Sequence, residues 1–218
     1  MLTGLDPGVR QVRALDGYLC LLADHGMNAS TFALRIAIST QSDLMSAATA
    51  ALATLKGPVH GGAPSLVSDM LDAIGTRGRA EAWIADRLAE RQVFYGFGHR
   101  AYKTDDPRAL VLHAIARTVA DPERLALAES VEREVLTALR AAKPGARLFT
   151  NVEYWSAVVL EAVGLPRTLF TPTFAVARTA GWSAHALEQA EENRLIRPDI
   201  EYVGPPKGRE WPRAIARE

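Results

Sequence analysis

Ala47-Ala48-Thr49-Ala50-Ala51-Leu52-Ala53-Thr54-Leu55-Lys56-Gly57-Pro58-Val59-His60-Gly61-Gly62-Ala63-Pro64 decides the reading of this chain. Its first nine residues favour a helix, and they are too few and too rich in Ala and Thr to span a bilayer. Glycine and proline then stop the helix and place His60 among glycines. Pro64 suits the first turn of a new helix. Gly and Pro beside a histidine keep it off regular structure and leave room for a ligand at the backbone.

Outward from this stretch, apolar residues recur at helical spacing and no run alternates with period two long enough to suggest a sheet. The fold class is therefore all-α. Punctuation by Gly and Pro predicts helices over 9–23, 28–39, 42–55, 63–75, 78–91, 108–120, 123–142, 153–163 and 168–192, Gly75 suiting a helix end. Asp121-Pro122 and Pro144-Gly145 break the helices around them. The stretch 76–150 is richer in charge, whereas 28–56 and 165–190 are Ala/Leu-rich with small residues that allow close helix packing. A small lobe inserted into a larger one is expected. The tail after Gly204 lacks periodicity and reads as an extended arm.

The 218 residues carry 25 basic and 25 acidic side chains, so neither nucleic acid nor an anionic membrane is attracted by net charge. An anionic ligand must be held by a few placed arginines. A lone Cys20 and the lack of a charged-then-apolar leader favour a reducing cytoplasm. The histidines are too scattered for a metal site, with no His-x-x-x-His and no Cys pair.

Two further segments place ionisable groups beside glycines or at helix starts: Gly96-Phe97-Gly98-His99-Arg100, running on to Asp106-Pro107-Arg108, and Asn151-Val152-Glu153. His60 precedes a helix N-terminus, whose dipole disfavours a positive charge and predicts a neutral imidazole. A neutral donor aimed at a carbonyl oxygen stabilises the enolate formed when a base removes the adjacent proton. Glu153 is the candidate base, and His99 can polarise a second carbonyl whose carboxylates arginine holds. His113 and His185 read as structural, Trp155 and Trp182 as packing residues, and Cys20 as a small core residue. The run Gly96 to Ala101 matches a relaxed dinucleotide fingerprint, but no βαβ pattern surrounds it. His60-Gly61-Gly62 is similar to an esterase oxyanion loop, but no Gly-x-Ser-x-Gly nucleophile follows.

These segments resemble the citrate synthase family, including its 2-methylcitrate branch. Asp24 to Thr31, Gly57 to Gly62, Gly96 to Arg108, Asn151 to Ser156, Ala177 to Trp182 and Asn193 to Pro198 occur in the family's order, covering about residues 10–204. The resemblance implies a two-lobed helical fold, with 1–60 and 165–218 as the large-domain portion and 61–164 as the small, mobile domain. It implies condensation of acetyl-CoA or propionyl-CoA with oxaloacetate, with no metal or other cofactor. His60, His99 and Glu153 would then be catalytic, and His25, Arg108, Arg178 and Arg197 would bind oxaloacetate or citrate. Phe94, Tyr95, Gly96, Phe97, Gly98, Lys103 and Asn151 fall at CoA-binding positions. Arg197 is the residue the family contributes across a dimer interface, so a homodimer is implied, or pairing with a separate N-terminal-half subunit. Glu153 stands where the family has an aspartate, and its added methylene moves the carboxylate by about a C–C bond, a displacement that can cost on the order of 10²-fold in rate. The family also carries a long helical region before Asp24-His25, so the alternative is a weak or inactive truncated paralogue that binds acyl-CoA or ketoacid. The missing helices would leave apolar faces exposed in 28–56 and 165–190.

Overall fold

A computed structural model describes residues 4, 6–98 and 104–205. Its helices are α1 (Val9–Leu22), α2 (Ala29–Ser39), α3 (Leu44–Leu55), α4 (Ala63–Ile74), α5 (Arg77–Ala89), α6 (Pro107–Val119), α7 (Pro122–Ala142), α8 (Val152–Ala162) and α9 (Phe170–Glu191). One 3₁₀ turn, Arg167–Leu169, precedes α9, and among the described residues the only extended pairing is an isolated bridge between Phe97 and Thr150.

The helix starts have local chemical causes. Asn28, Asp43, Asp106, Asp121 and Asn151 each accept a backbone N–H from the first turn they precede, an arrangement worth about 1 kcal/mol per cap. Prolines occupy the first turns of α4, α6 and α7, where no intrahelical N–H is lost. Gly75, at φ 72°, ends α4 in a conformation that favours glycine.

α8 is the central element. Every residue from Tyr154 to Leu160 is buried, and the helix packs against α1, α4, α6 and α7. A helix that is apolar on all sides has no solvent face and must lie inside. α9 closes the other side of the core against α1, α2, α3 and α4, with Phe170 and Phe174 buried. Trp155 and Trp182 are core residues as expected; Trp155 also stacks on His113 and donates to Glu132.

Cys20 departs from the sequence reading, because its side chain is exposed. The buried stripe of α1 is Ala14, Tyr18 and Leu22, spaced by four. Cys20, two positions from Tyr18, points away from that stripe despite its apolar neighbours. The expected exposed apolar faces are present: Phe32, Ile36, Leu44, Met45 and Leu52 project from α2 and α3, and Val176 and Leu187 from α9.

Where the chain returns from α8 to α9, Arg167 pairs with Asp69, Asp72 and Glu161, and Arg124 pairs with the last two as well. This shared ion-pair cluster ties α4, α7, α8 and the 3₁₀ turn together at the surface.

Candidate active site

His60 sits on the turn between α3 and α4. Its backbone N–H and that of Gly62 both donate to the Gly57 carbonyl, at 3.0 and 3.1 Å. A side chain at Gly61 would meet Leu55 and Phe174 at 2.8–2.9 Å, so the turn folds this tightly only with glycine there. The imidazole meets the edge of Phe174, and its Nε2 lies 2.9 Å from Ser30 Oγ. Burial, with the positive charge of Arg178 added, lowers the imidazole to about 4. His60 is therefore neutral near pH 7, in the expected state, but burial and an arginine from α9 replace the helix dipole as the cause.

Ser30 was not singled out by its sequence context. Its hydroxyl is buried and lies 2.8 Å from Asn28 Oδ1 as well as near His60. One hydroxyl proton serves two acceptors, so the direction it turns selects the His60 tautomer. With the proton on Asn28, His60 carries hydrogen on Nε2; with the proton on Nε2, His60 offers a Nδ1–H donor.

Glu153 lies in the first turn of α8, where Asn151 Oδ1 caps its backbone N–H at 3.0 Å. Although part of the residue is exposed, its Oε2 is out of contact with solvent and has no hydrogen-bond partner among the described residues. Burial raises the carboxyl to about 7; Arg108 and Arg178 oppose the rise, and Asp106 adds to it. A carboxyl poised near neutrality can both take and return a proton.

Arg178 is almost fully buried in α9. Its Nε donates to the Leu22 carbonyl at 2.8 Å, its guanidinium carbon lies 4.9 Å from the Phe174 ring centre, and its Nη1 is buried without a hydrogen-bond partner among the described residues. Burial and the like charge of Arg108 lower the guanidinium to about 10, against the pull of Asp24, Glu153 and Tyr18. Tyr18, unnoticed in sequence, contributes a buried hydroxyl that likewise lacks a partner among the described residues.

Arg108 opens α6 and forms a fork with Asp106, Nε to Oδ1 at 3.1 Å and Nη2 to Oδ2 at 2.8 Å. Asp106 also accepts the backbone N–H groups of Arg108 and Val152 at 3.0 and 3.1 Å. One buried carboxylate thereby joins the starts of α6 and α8, fixing Arg108 relative to Glu153. Burial works against its charge, but Arg108 and the two backbone donors outweigh this and hold the carboxyl below its ordinary value.

The remaining expected residues divide. His25 lies half-buried on the loop between α1 and α2, and that loop touches α9 where Gly181 donates to the Ala23 carbonyl at 3.0 Å. Asn151 Nδ2 donates to Gly98 O at 2.9 Å, and Gly96 and Gly98 pair with the backbone of Asn151 and Phe149, so the 96–98 segment is held against the start of α8. Phe94 is buried against Trp83 and Phe97 leans on Tyr154, so both side chains pack, while Tyr95 is half-buried. Arg197 is exposed on the non-helical segment after α9, and no hydrogen bond or ion pair among the described residues joins it to His60, Glu153 or Arg178. His99 and Lys103 lie outside the described residues. Among the described residues no group of His, Cys, Asp and Glu is placed to hold a metal ion, and no helix is long and apolar enough to cross a membrane.

Comparison with known proteins places the chain among relatives of one fold. The citrate synthase from Deinococcus radiodurans is 43% identical over 208 residues, covering 94% of this chain and 54% of that protein. The Thermoplasma acidophilum citrate synthase, solved with carboxymethyl coenzyme A and oxaloacetate, superimposes with a TM-score of 0.87 at 36% identity, covering 96% of this chain and 56% of that one. The citryl-CoA lyase from Hydrogenobacter thermophilus gives a TM-score of 0.79 at 28% identity, covering 97% of this chain and 83% of that one. The chain thus spans about half the length of the synthases it matches. A family model described as the citrate synthase C-terminal domain matches residues 1–199, and with an all-helical fold and these identities the chain belongs to the citrate synthase family.

Proposed function

We propose that this chain carries the condensing site of a citrate synthase-type acyltransferase, which joins acetyl-CoA or propionyl-CoA to oxaloacetate. The supporting observation is the grouping of Glu153 Oε2 and Arg178 Nη1, buried and without partners among the described residues, with a neutral His60. Buried polar atoms are normally paired, so this grouping is suited to a ligand that completes it. Glu153 removes a proton from the acyl methyl, while His60, once the Ser30 hydroxyl turns from Asn28 to its Nε2, donates through Nδ1–H to the thioester carbonyl oxygen where enolate charge develops. The enolate carbon attacks the oxaloacetate ketone, polarised by His99, and the new alkoxide takes a proton. Arg108 and Arg178 face the carboxylates of oxaloacetate, with His25 at the edge. Water then hydrolyses the citryl thioester to citrate and CoA. The overall reaction needs no electron acceptor, so no redox group is required of the site.

In this reading 61–164 is the lobe that closes over the ketoacid and excludes water, with 1–60 and 165–218 as the base. Phe94 to Gly98, Lys103 and Asn151 border the CoA path. A dimer brings Arg197 into the neighbouring site, and the apolar side chains exposed on α2 and α3 support such pairing.

A second reading is favoured by the lyase, of which the chain covers the larger share. The same site run in reverse cleaves the carbon–carbon bond of citryl-CoA, with Glu153 returning the proton to the acetyl-CoA enolate. The deciding assay follows free CoA from oxaloacetate with acetyl-CoA or propionyl-CoA, and acetyl-CoA from citryl-CoA. It is run on the chain alone and with a polypeptide supplying the remainder of the synthase fold. CoA release supports the first reading and citryl-CoA cleavage without it the second. Neither product in either arm refutes both.

A further inference from the structure

We infer that Arg35 is a positioning residue that holds together the two segments bearing His25 and Arg197. Its side chain extends from α2 towards α9 and is only 15% exposed. There Nη1 lies 3.0 Å from His185 Nδ1, and Nε donates to Gln189 Oε1 at 3.1 Å; Glu188 Oε2 accepts from Nη1 as well.

The chemistry of these contacts fixes a direction. A guanidinium can only donate, so His185 Nδ1 is the acceptor and must be bare. The ring proton of neutral His185 is then on Nε2, which faces Asp24 Oδ1 at 3.3 Å. The other Asp24 oxygen accepts the Gly26 N–H at 2.9 Å and closes the loop on which His25 sits. From Arg35, one branch therefore runs through His185 and Asp24 to the 24–28 loop.

The second branch runs through Gln189. Its amide oxygen is occupied by Arg35, so its nitrogen is turned towards Asn193 Oδ1 at 3.1 Å and the Arg194 carbonyl at 3.4 Å. Asn193 in turn donates to the Ser39 carbonyl, and Ser39 Oγ accepts the Ile196 N–H at 3.1 Å, one residue before Arg197. The expectation that His185 is merely structural is thereby refined, since it is the middle member of one branch. That these segments bind ligand rests on the proposed condensing function; that Arg35 couples them rests on the contacts alone.

The test compares the full chain with its Arg35→Met and His185→Leu variants by amide hydrogen exchange and by ¹⁵N NMR of the imidazoles. The parent is expected to show His185 protonated on Nε2 and bare on Nδ1. Arg35→Met should abolish that tautomer preference and speed exchange in both 24–28 and 194–198 at least tenfold, while α5 and α7 keep parent rates. His185→Leu should speed only 24–28. Loosening of neither segment, of one alone in Arg35→Met, or of the whole chain uniformly overturns the inference. Melting with oxaloacetate separates the two readings. A parent without a ligand shift counts against the condensing function and leaves the exchange pattern to decide the coupling. A parent shift that Arg35→Met fully retains overturns the positioning role.

Discussion

Replacing Glu153 with glutamine removes an ionisable group whose Oε2 is buried at the start of α8 while keeping its shape. Burial raises this carboxyl from 4.5 to about 7. At about 1.4 kcal/mol per factor of ten, keeping it ionised in the folded state costs about 3 kcal/mol relative to the unfolded chain. Because the folded value lies above the unfolded one, the associated stability is fully present below about pH 4.5 and is lost as pH rises through about 7. Glutamine has no such dependence. Glu153→Gln should therefore gain on the parent as pH rises, reaching an advantage of about 3 kcal/mol at pH 8, or about 6–12 °C in Tm for a chain of this length. Thermal unfolding followed by circular dichroism in steps between about pH 5 and pH 8 reads this difference directly. The titration of His60 is common to both proteins and cancels. A stability difference that stays constant across this range would show that Glu153 ionises like an exposed carboxylate, and the argument that it is a base poised near neutrality would fail.

Two further outcomes follow from the site and its frame. His60 is held neutral with its value lowered from 6.5 to about 4, so its contribution to stability falls by about 2–3 kcal/mol between pH 7 and 4.5; because the Glu153 titration is common to both proteins and cancels, urea unfolding at the two pH values should show His60→Gln gaining that amount on the parent at the lower pH, and a difference that does not change with pH would refute the burial of the ring. A Cβ at Gly181 would lie 2.5 Å from the Ala23 carbonyl and 2.7 Å from Asp24 Oδ1. Gly181→Ala should therefore cost about 1–3 kcal/mol and, on the proposed function, weaken the rise in Tm expected with oxaloacetate, whereas unchanged melting with and without oxaloacetate would show that the 23–28 loop can move aside freely.

The helix ends were legible in sequence because their causes are local. Asn28, Asp106, Asp121 and Asn151 cap the turns they precede, and Pro64, Pro107 and Pro122 sit in first turns. The direction of the His60 titration was legible as well, but not its cause, since Arg178 approaches from α9 and no short-range pattern encodes that approach. Ser30 was missed for the same reason: within its own segment it is an ordinary first-turn serine, and only the fold brings His60 to its hydroxyl. Asp106 carried a signal that could have been used, an N-cap aspartate two residues before a candidate arginine. Its contact with the start of α8 was the part only packing could show. Cys20 misled because apolar neighbours in sequence share a helix but not a face.

The charges gathered around Arg167 and Arg124 give the molecule a sensitivity that its buried site lacks. Arg167 and Asp72 are each more than a third exposed and Asp69 more exposed still, so dissolved ions reach the cluster and weaken it over a Debye length of about 10 Å at 0.1 M salt. The link between α8 and α9 is therefore a fastening whose grip depends on the surrounding electrolyte. In dilute buffer the shared arginines restrain all four elements at once. In concentrated salt the same link relies on its backbone and on Leu165 packed against the core, and bending there becomes easier without any change in the buried groups around Glu153.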